Sequence, residues 1–504
     1  MATREKFARS QLSLRRRISA LWSSKIRNMP TAEPVLPTDV FREIANYLPR
    51  TDILALSSCS IEMRTLLLPD VYAAVSLLCG SSACSSKLEL LSASPHWLAY
   101  VKKLEIGPDW LSWPIDELVE LRVASTVVKI SPRLTNLETF TWCGIYPLQE
   151  IVWRALRTSC PKLKILSYTA QTRQFEPDSE LFKFRNLLSF SLCVKEKAEA
   201  FPLIKPNLPP KFCDMLLHSP DLEHLNLQLC PSHNNLGSLS SLMQRTWDNL
   251  SALQIEVCPD HPARDLIAPF LAAHPLITSL SILPHVPDIL PLTFPPGTLP
   301  YLKFFSGISQ HLAALPNLEH LRNLVLLDEP ARNPLASTVG RLTFLTSLTI
   351  TLADAGDMSL VFSITSACCL LESLAISYRT PCNMKQLKVI AVALRELPYL
   401  RELSLTKTYR LSDGTMLAAV LLLLEQNTML REVHLIWVST KEWKQSGDYT
   451  ITPRKDDPRV PYVLNAKEFG PSGLGRLGGS FVRRFRHALD GSDRVSRGLA
   501  RIRR

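Results

Sequence analysis

LEHLNLQLC, residues 222–230, alternates apolar and polar side chains from Leu225 onward. A period of two over so few residues makes a short strand with one apolar face. One such strand cannot bury that face by itself, so the stretch needs neighbours of its own kind. The sequence supplies them. The spelling L-x-x-L-x-L, with Ile, Val, Phe or Trp admitted, recurs as VKKLEI (101–106), LETFTW (137–142), LKILSY (163–168), LLSFSL (187–192), LEHLNL (222–227), LSALQI (250–255) and ITSLSI (277–282). It continues as a degenerate LKFFSG (302–307), then LRNLVL (321–326), LTSLTI (345–350), LESLAI (371–376), LRELSL (400–405) and LREVHL (430–435). Thirteen hexads thus recur at roughly 27 residues per step, with two long steps of 36 and 35 residues and one short step of 19.

A period in this range with this consensus is the leucine-rich-repeat signature. Helix-patterned segments lie between many of the hexads, among them 151–160, 211–220, 266–275 and 384–398. The expected fold class is therefore α/β. Residues 77–440 should form a curved leucine-rich-repeat solenoid with a parallel sheet on its concave face and helices outside. The long steps require loops or additional helices. Cys230 and Cys258 stand three residues after the last hexad position, where a small side chain fits a turn, and Cys160 and Cys368 stand shortly before the next strand. These placements resemble the cysteine-containing repeats common in F-box proteins.

Ahead of the repeats lies LPTDVFREIANYLPRTDILALSS (36–58). Pro37 suits a first helical turn, with Thr38 and Asp39 behind it at the positive end of the helix dipole. Val40, Ile44 and Leu48 fall on one stripe. Pro49 stops that helix. Thr51 is placed to cap a second helix through Ile53, Leu54 and Leu56, and Ser60 to open a third that ends near Leu68-Pro69. Three short helices of this size need support from elsewhere.

The segment Leu36 to Tyr72 resembles an F-box of the fungal kind. The matching residues are Leu36-Pro37, Val40, Ile44, Tyr47-Leu48, Asp52-Ile53-Leu54, Leu56, Arg64, Leu67-Leu68-Pro69 and Tyr72, while Met63 stands where the family often has Trp or Phe. An F-box at 34–76 followed by leucine-rich repeats is itself a known arrangement. The resemblance implies a non-catalytic substrate-recognition subunit of a Skp–cullin–F-box ubiquitin ligase. The helices would dock on a Skp-family adaptor, which joins a cullin–RING ligase, and the repeats would hold the target protein. Carried over residue by residue, Leu36, Pro37, Val40, Ile44, Leu48, Ile53 and Leu54 would face the adaptor. The alternative is a repeat scaffold outside any ligase, in which the same helices cap the N-terminal end of the solenoid.

If the consensus leucines point inward, the residues between them line the concave face. That face reads as a hydroxyl-rich surface with a few larger groups. The candidate substrate contacts are His224, Asn226 and Gln228 in one hexad region, and Glu402, Ser404, Glu432 and His434 near the end of the repeats. Serine and threonine are also ordinary residues for an exposed strand face.

The net charge of +11 resides at the ends. Residues 1–30 hold eight Lys/Arg against one acid, and 471–504 hold nine against two, so the remaining body is slightly acidic. A basic groove for nucleic acid on the fold is therefore not expected. Residues 1–33 and 441–504 are expected to be disordered basic tails, the second rich in Gly and Arg. Such tails could touch RNA, acidic partners or lipid headgroups, and their main expected effect is solubility. The Arg- and Ser-rich start also fits a mitochondrial transit peptide, whereas the ligase role that the F-box resemblance implies would place the protein in the cytoplasm or nucleus.

The apolar run Met416–Leu424 is nine residues, too short for a membrane span and long enough for a buried helix. Twelve cysteines without CxxC or a zinc quartet indicate buried free thiols in a reducing compartment. Gly473-Leu-Gly475-Arg-Leu-Gly478 has the letters of a dinucleotide fingerprint, but no strand–helix context surrounds it. No nucleophile motif, phosphate loop or metal-ligand spacing occurs, so neither cofactor nor metal is expected.

Overall fold

The computed structural model describes residues 38–79, 82–93, 96–108, 117–144, 146–170, 175–194, 209–229, 237–257, 264–284, 292–329, 338–353, 358–408, 415–438, 444–453, 462–469 and 481–483. The chain divides into two compact units at Ala74/Val75.

The first unit holds three helices, α1 (Thr38–Asn46), α2 (Arg50–Ser57) and α3 (Ile61–Tyr72). Ala45, Ile53 and Leu67 form its small core, with Leu48, Leu56 and Val71 packed around them. Ser60 caps α3 by accepting the Met63 N–H at 3.0 Å. Two local expectations fail here. Helix α2 begins at Arg50 behind Pro49, so Thr51 is inside the helix and caps nothing. Helix α3 continues through Pro69 to Tyr72; proline removes one backbone donor without ending a helix whose buried Leu67 holds it in place.

In the second unit all thirteen hexads become strands: β2 (Lys103–Pro108), β3 (Thr139–Cys143), β4 (Ile165–Ala170), β5 (Ser189–Val194), β6 (His224–Gln228), β7 (Ala252–Val257), β8 (Ser279–Pro284), β9 (Phe304–Gly307), β10 (Asn323–Leu326), β11 (Ser347–Leu352), β12 (Ser373–Pro381), β13 (Glu402–Thr408) and β14 (Glu432–Val438). β1 (Ala74–Cys79) precedes them and pairs with β2. From β2 to β14 every strand is parallel to its neighbour in sequence.

One backbone device sets the register. The second hexad residue offers its carbonyl to two successive N–H groups of the next hexad, as Lys102 does to Glu138 and Thr139 and Arg401 to Arg431 and Glu432; this happens at all twelve steps. The 19-residue and 36-residue steps therefore deliver their strands in the same register. The degenerate LKFFSG is a full member: Phe305 is wholly buried. Gly307 stays glycine because a Cβ there would lie 2.7 Å from Cζ of Phe305.

The core runs along one side of this sheet. At the central inward position stand Leu104, Leu225, Leu280, Leu324, Leu374 and Leu403, all 0–1 % exposed. Each such burial contributes about 1.5–3 kcal/mol. Helices between the strands close that side: α4 (Ser82–Ala93), α5 (Glu117–Ile130), α6 (Glu150–Ser159), α7 (Pro210–Leu217), α8 (Gly237–Leu242), α9 (Arg264–Ala273), α10 (Ser309–Ala314), α11 (Met358–Ala367), α12 (Met384–Leu394) and α13 (Met416–Gln426). Helix α13 is the expected buried helix, with Met416, Ala419, Val420, Leu423 and Leu424 inside. Asn383 and Gln386 make a reciprocal capping box on α12. Cys160 and Cys368 are buried free thiols, and burial raises both to about 12. Cys230 and Cys258 lie outside the described residues.

The C-terminal boundary differs from the sequence reading. Residues 441–504 were expected to be a tail, yet β15 (Lys444–Pro453) and β16 (Tyr462–Phe469) extend the sheet, and β17 (Phe481–Arg483) pairs with β16. These three strands are antiparallel. Tyr449, Ile451 and Leu464 are buried on the core side, which a tail would leave exposed. The basic segment 1–33 and the glycine fingerprint at 473–478 lie outside the described residues.

Candidate functional site

Two surfaces hold the residues singled out in the sequence. The first is on the three-helix unit. Val40 and Ile44 occupy consecutive turns of α1 and Leu54 lies on α2; they are 40 %, 42 % and 45 % exposed. Tyr47 and Ile61, at 80 % and 78 %, add to the apolar surface. A unit this small has few apolar residues to spare, so leaving five large ones exposed is a feature that calls for a partner. Ile53 is a correction. Adjacent helical residues point about 100° apart, and Ile53 takes the inward direction that Leu54 does not, so it belongs to the unit's own core. Leu48 packs beside that core and is half-buried. Leu36 and Pro37 lie outside the described residues.

The second surface is the side of the sheet opposite the core. Strand alternation turns His224, Asn226 and Gln228 to this side of β6. A chain of hydrogen bonds joins Asn226 and Gln228 to β5. The Cys193 thiol donates to Gln228 Oε1 at 3.4 Å, Gln228 Nε2 to Asn226 Oδ1 at 3.3 Å, and Asn226 Nδ2 to Ser191 Oγ at 3.0 Å. His224 stands at the margin, 4.0 Å from Glu223. Glu256, on β7, is on the same side. Burial lifts its carboxyl to about 7, and sequence reading missed it because nothing in the pattern marks one outward residue as half-covered.

The other group lies at the far end. Glu402 pairs with Glu432, and Ser404 with His434. His434 Nδ1 lies 3.0 Å from Asp448 Oδ1, and its Nε2 lies 3.7 Å from Glu432 Oε2. Asp448 is on β15, inside the stretch read as a tail, which is why it was not among the candidates. The two groups do not meet. Six strands separate β6 from β13, roughly 34 Å at about 4.8 Å per strand. Between them one register row runs from Asn226 through Gln254, Ser281, Ser306, Val325, Thr349 and Ala375 to Ser404, so most of it is small or uncharged. Among the described residues no group of three or more His, Cys, Asp or Glu side chains is placed to hold a metal ion, and no helix is long and apolar enough to cross a membrane.

Comparison with known families matches residues 34–68 to the F-box domain. That range contains α1, α2 and most of α3. Comparison of the chain with curated proteins gave no match. An F-box domain points in general to a substrate adaptor of ubiquitin ligases; such domains typically bind a Skp-family protein, and the proteins that carry them are generally non-catalytic.

Proposed function

We propose that this protein is the non-catalytic substrate-recognition subunit of a Skp–cullin–F-box ubiquitin ligase. In this reading it is of the fungal F-box kind and acts in the cytoplasm or nucleus. Leu36, Pro37, Val40, Ile44 and Leu54 meet the adaptor, with Leu48 at the margin. The second unit is a leucine-rich-repeat solenoid that holds the target on its outward sheet face. The observation that carries the reading is the coincidence of the F-box match with exposed apolar side chains on α1 and α2.

The test is co-purification with a Skp-family adaptor. Leu36→Ala/Pro37→Ala and Leu54→Ala should each weaken capture at least tenfold, as loss of about 1.5–3 kcal/mol of burial implies, with unchanged melting. Ile53→Ala should instead lower the stability of the three-helix unit. Failure of the intact protein to capture the adaptor, or loss that follows only global unfolding, overturns the proposal in favour of a scaffold. For the sheet face, proximity labelling with intact and F-box-deleted protein supplies a target. Replacing Glu402, Glu432 and His434 together should then reduce its capture, and unchanged capture removes them from the site.

A further inference from the structure

The turn that delivers the chain into a strand is closed by the same hydrogen bond in most units, but its chemistry changes halfway. Before β5 the residue ahead of the hexad is Asn186, and there the Leu187 N–H donates to Ser219 Oγ instead. In the earlier units the first hexad residue donates its N–H to the carbonyl three residues back: Leu137 to Leu134, Leu163 to Cys160, Leu222 to Ser219 and Leu250 to Trp247. The third residue of these turns is Asn136, Lys162, Asp221 or Asn249, all polar and three of the four the Asn or Asp that turns favour. The later units close the same turn, Ile277 to His274, Leu302 to Leu299, Leu345 to Leu342, Leu371 to Cys368 and Leu400 to Leu397. There the third residue is Leu276, Tyr301, Phe344, Leu370 or Tyr399, and Met429 holds the same place before β14. All six expose between 36 % and 56 % of their surface. His320 takes the position in the one remaining later unit, and Tyr100 is the apolar exception among the earlier ones.

Turn geometry does not explain the change, because the same hydrogen bond closes around asparagine, aspartate and lysine in the earlier units. Core packing does not require it either, since these side chains remain substantially in solvent. Breaking local turn preference in one register position, in six of the seven later units, is what a binding surface does to a sequence. Because the strands are in register, the side chains form a line of seven positions, about 29 Å long at about 4.8 Å per step. An α-helix rises about 5.4 Å per turn and covers 30 Å in about 20 residues. Its apolar stripe, one or two residues per turn, meets such a line nearly one turn to one unit. Beside the line, within the turns and at the second hexad position, stand Lys303, Arg322, Arg401 and Arg431 against Glu319 and Glu372.

We propose that this line of turns is a docking ridge for an amphipathic helix of about 20 residues whose apolar stripe is flanked by carboxylates. The ridge is separate from the outward sheet face and does not depend on adaptor docking. The chain's own basic segment 1–33 has the wrong charge to be the occupant.

The experiment uses the full chain and a small panel of synthetic 20-residue peptides in 150 mM salt, read by fluorescence anisotropy. Each peptide carries Leu or Phe at i, i+3, i+4 and i+7 spacing with Glu on both flanks. Controls are scrambled peptides of the same composition and versions with Lys in place of Glu. The patterned acidic peptides should bind at least tenfold more tightly than either control. Tyr301→Asn/Phe344→Asn/Tyr399→Asn, which installs the residue type of the earlier turns, should abolish that advantage with melting unchanged. Arg322→Glu/Arg401→Glu should move the preference toward the Lys peptides. Equal binding of patterned and scrambled peptides, no binding, or an unchanged triple variant overturns the proposal. A concentration-dependent dimer abolished by the triple variant also overturns it, assigning the ridge to a second copy.

Discussion

Two carboxylates show how one residue type can push stability in opposite directions. Glu180 is buried, and its oxygens lie 2.9 Å from Lys183, 2.8 Å from Arg157 and 3.5 Å from Arg154. The lysine and arginine hydrogen bonds outweigh its burial and hold the carboxyl at about 2. A depressed folded pKa means the unfolded chain binds the proton first as pH falls, so this stabilisation is full above about 4.5 and lost toward 2. Glu180→Gln should therefore cost about 1–3 kcal/mol at pH 7 and approach wild type near pH 2, which denaturant melts across pH would read. Glu256 has the reverse sign. Burial raises its pKa from 4.5 to about 7, so the folded state holds the proton longer and stability falls as pH rises through that window. Glu256→Gln should gain about 1 kcal/mol at pH 8, a figure reduced for partial exposure, and gain nothing at pH 4. Neither role was legible beforehand. Glu180 depends on a short 3-10 turn at 180–183 that brings cations from α6 beside it, and no hexad pattern encodes that.

The parallel strands could be located in the sequence because each carries its own pattern. A leucine at the fourth and sixth hexad positions must point one way once the strand forms, and the shared carbonyl at the second position fixes the register whatever the loop length. β15 and β16 were not legible in this way. KQSGDYTITP has Gly447, a proline and two charges spread over ten residues, and only Tyr449 and Ile451 bring large side chains to the core. Their place is set by β14, which would otherwise present an unpaired edge. Val433, Leu435 and Trp437 of β14 are buried, and the Tyr449 hydroxyl donates to Glu468 at 2.6 Å to tie β15 to β16. Truncation after residue 440, the boundary the sequence suggested, should yield protein that aggregates during purification. Truncation after residue 483 should leave a monodisperse product with nearly native melting. Size-exclusion chromatography distinguishes the two, and a monodisperse product from the shorter chain would show that β14 needs no cover.

A sheet whose strands pair only with their neighbours is a one-dimensional chain, and its cooperativity is limited by its weakest link. Among the parallel strands the narrowest part is at β9 and β10, with four residues each and the shortest step between them, 19 residues. The core there is built on Leu302, Phe305, Leu312, Leu318, Leu321 and Leu324, of which Phe305 is the largest and fully buried. The spacing of LKFFSG and LRNLVL revealed this place in the sequence as an irregularity, and the structure gives it a mechanical meaning. Phe305→Ala should remove about 3–5 kcal/mol at the point where two longer blocks of strands are joined. The loss should not spread evenly. β2–β8 and β11–β16 each retain enough paired neighbours to stay folded, so calorimetry should resolve the single melting transition into two. Hydrogen exchange should show β9 and β10 losing protection first, while Leu104 and Leu435 amides keep theirs. The same substitution pattern applied inside a block, as Leu374→Ala, should lower one transition without splitting it, since the strands on either side are six and seven residues long.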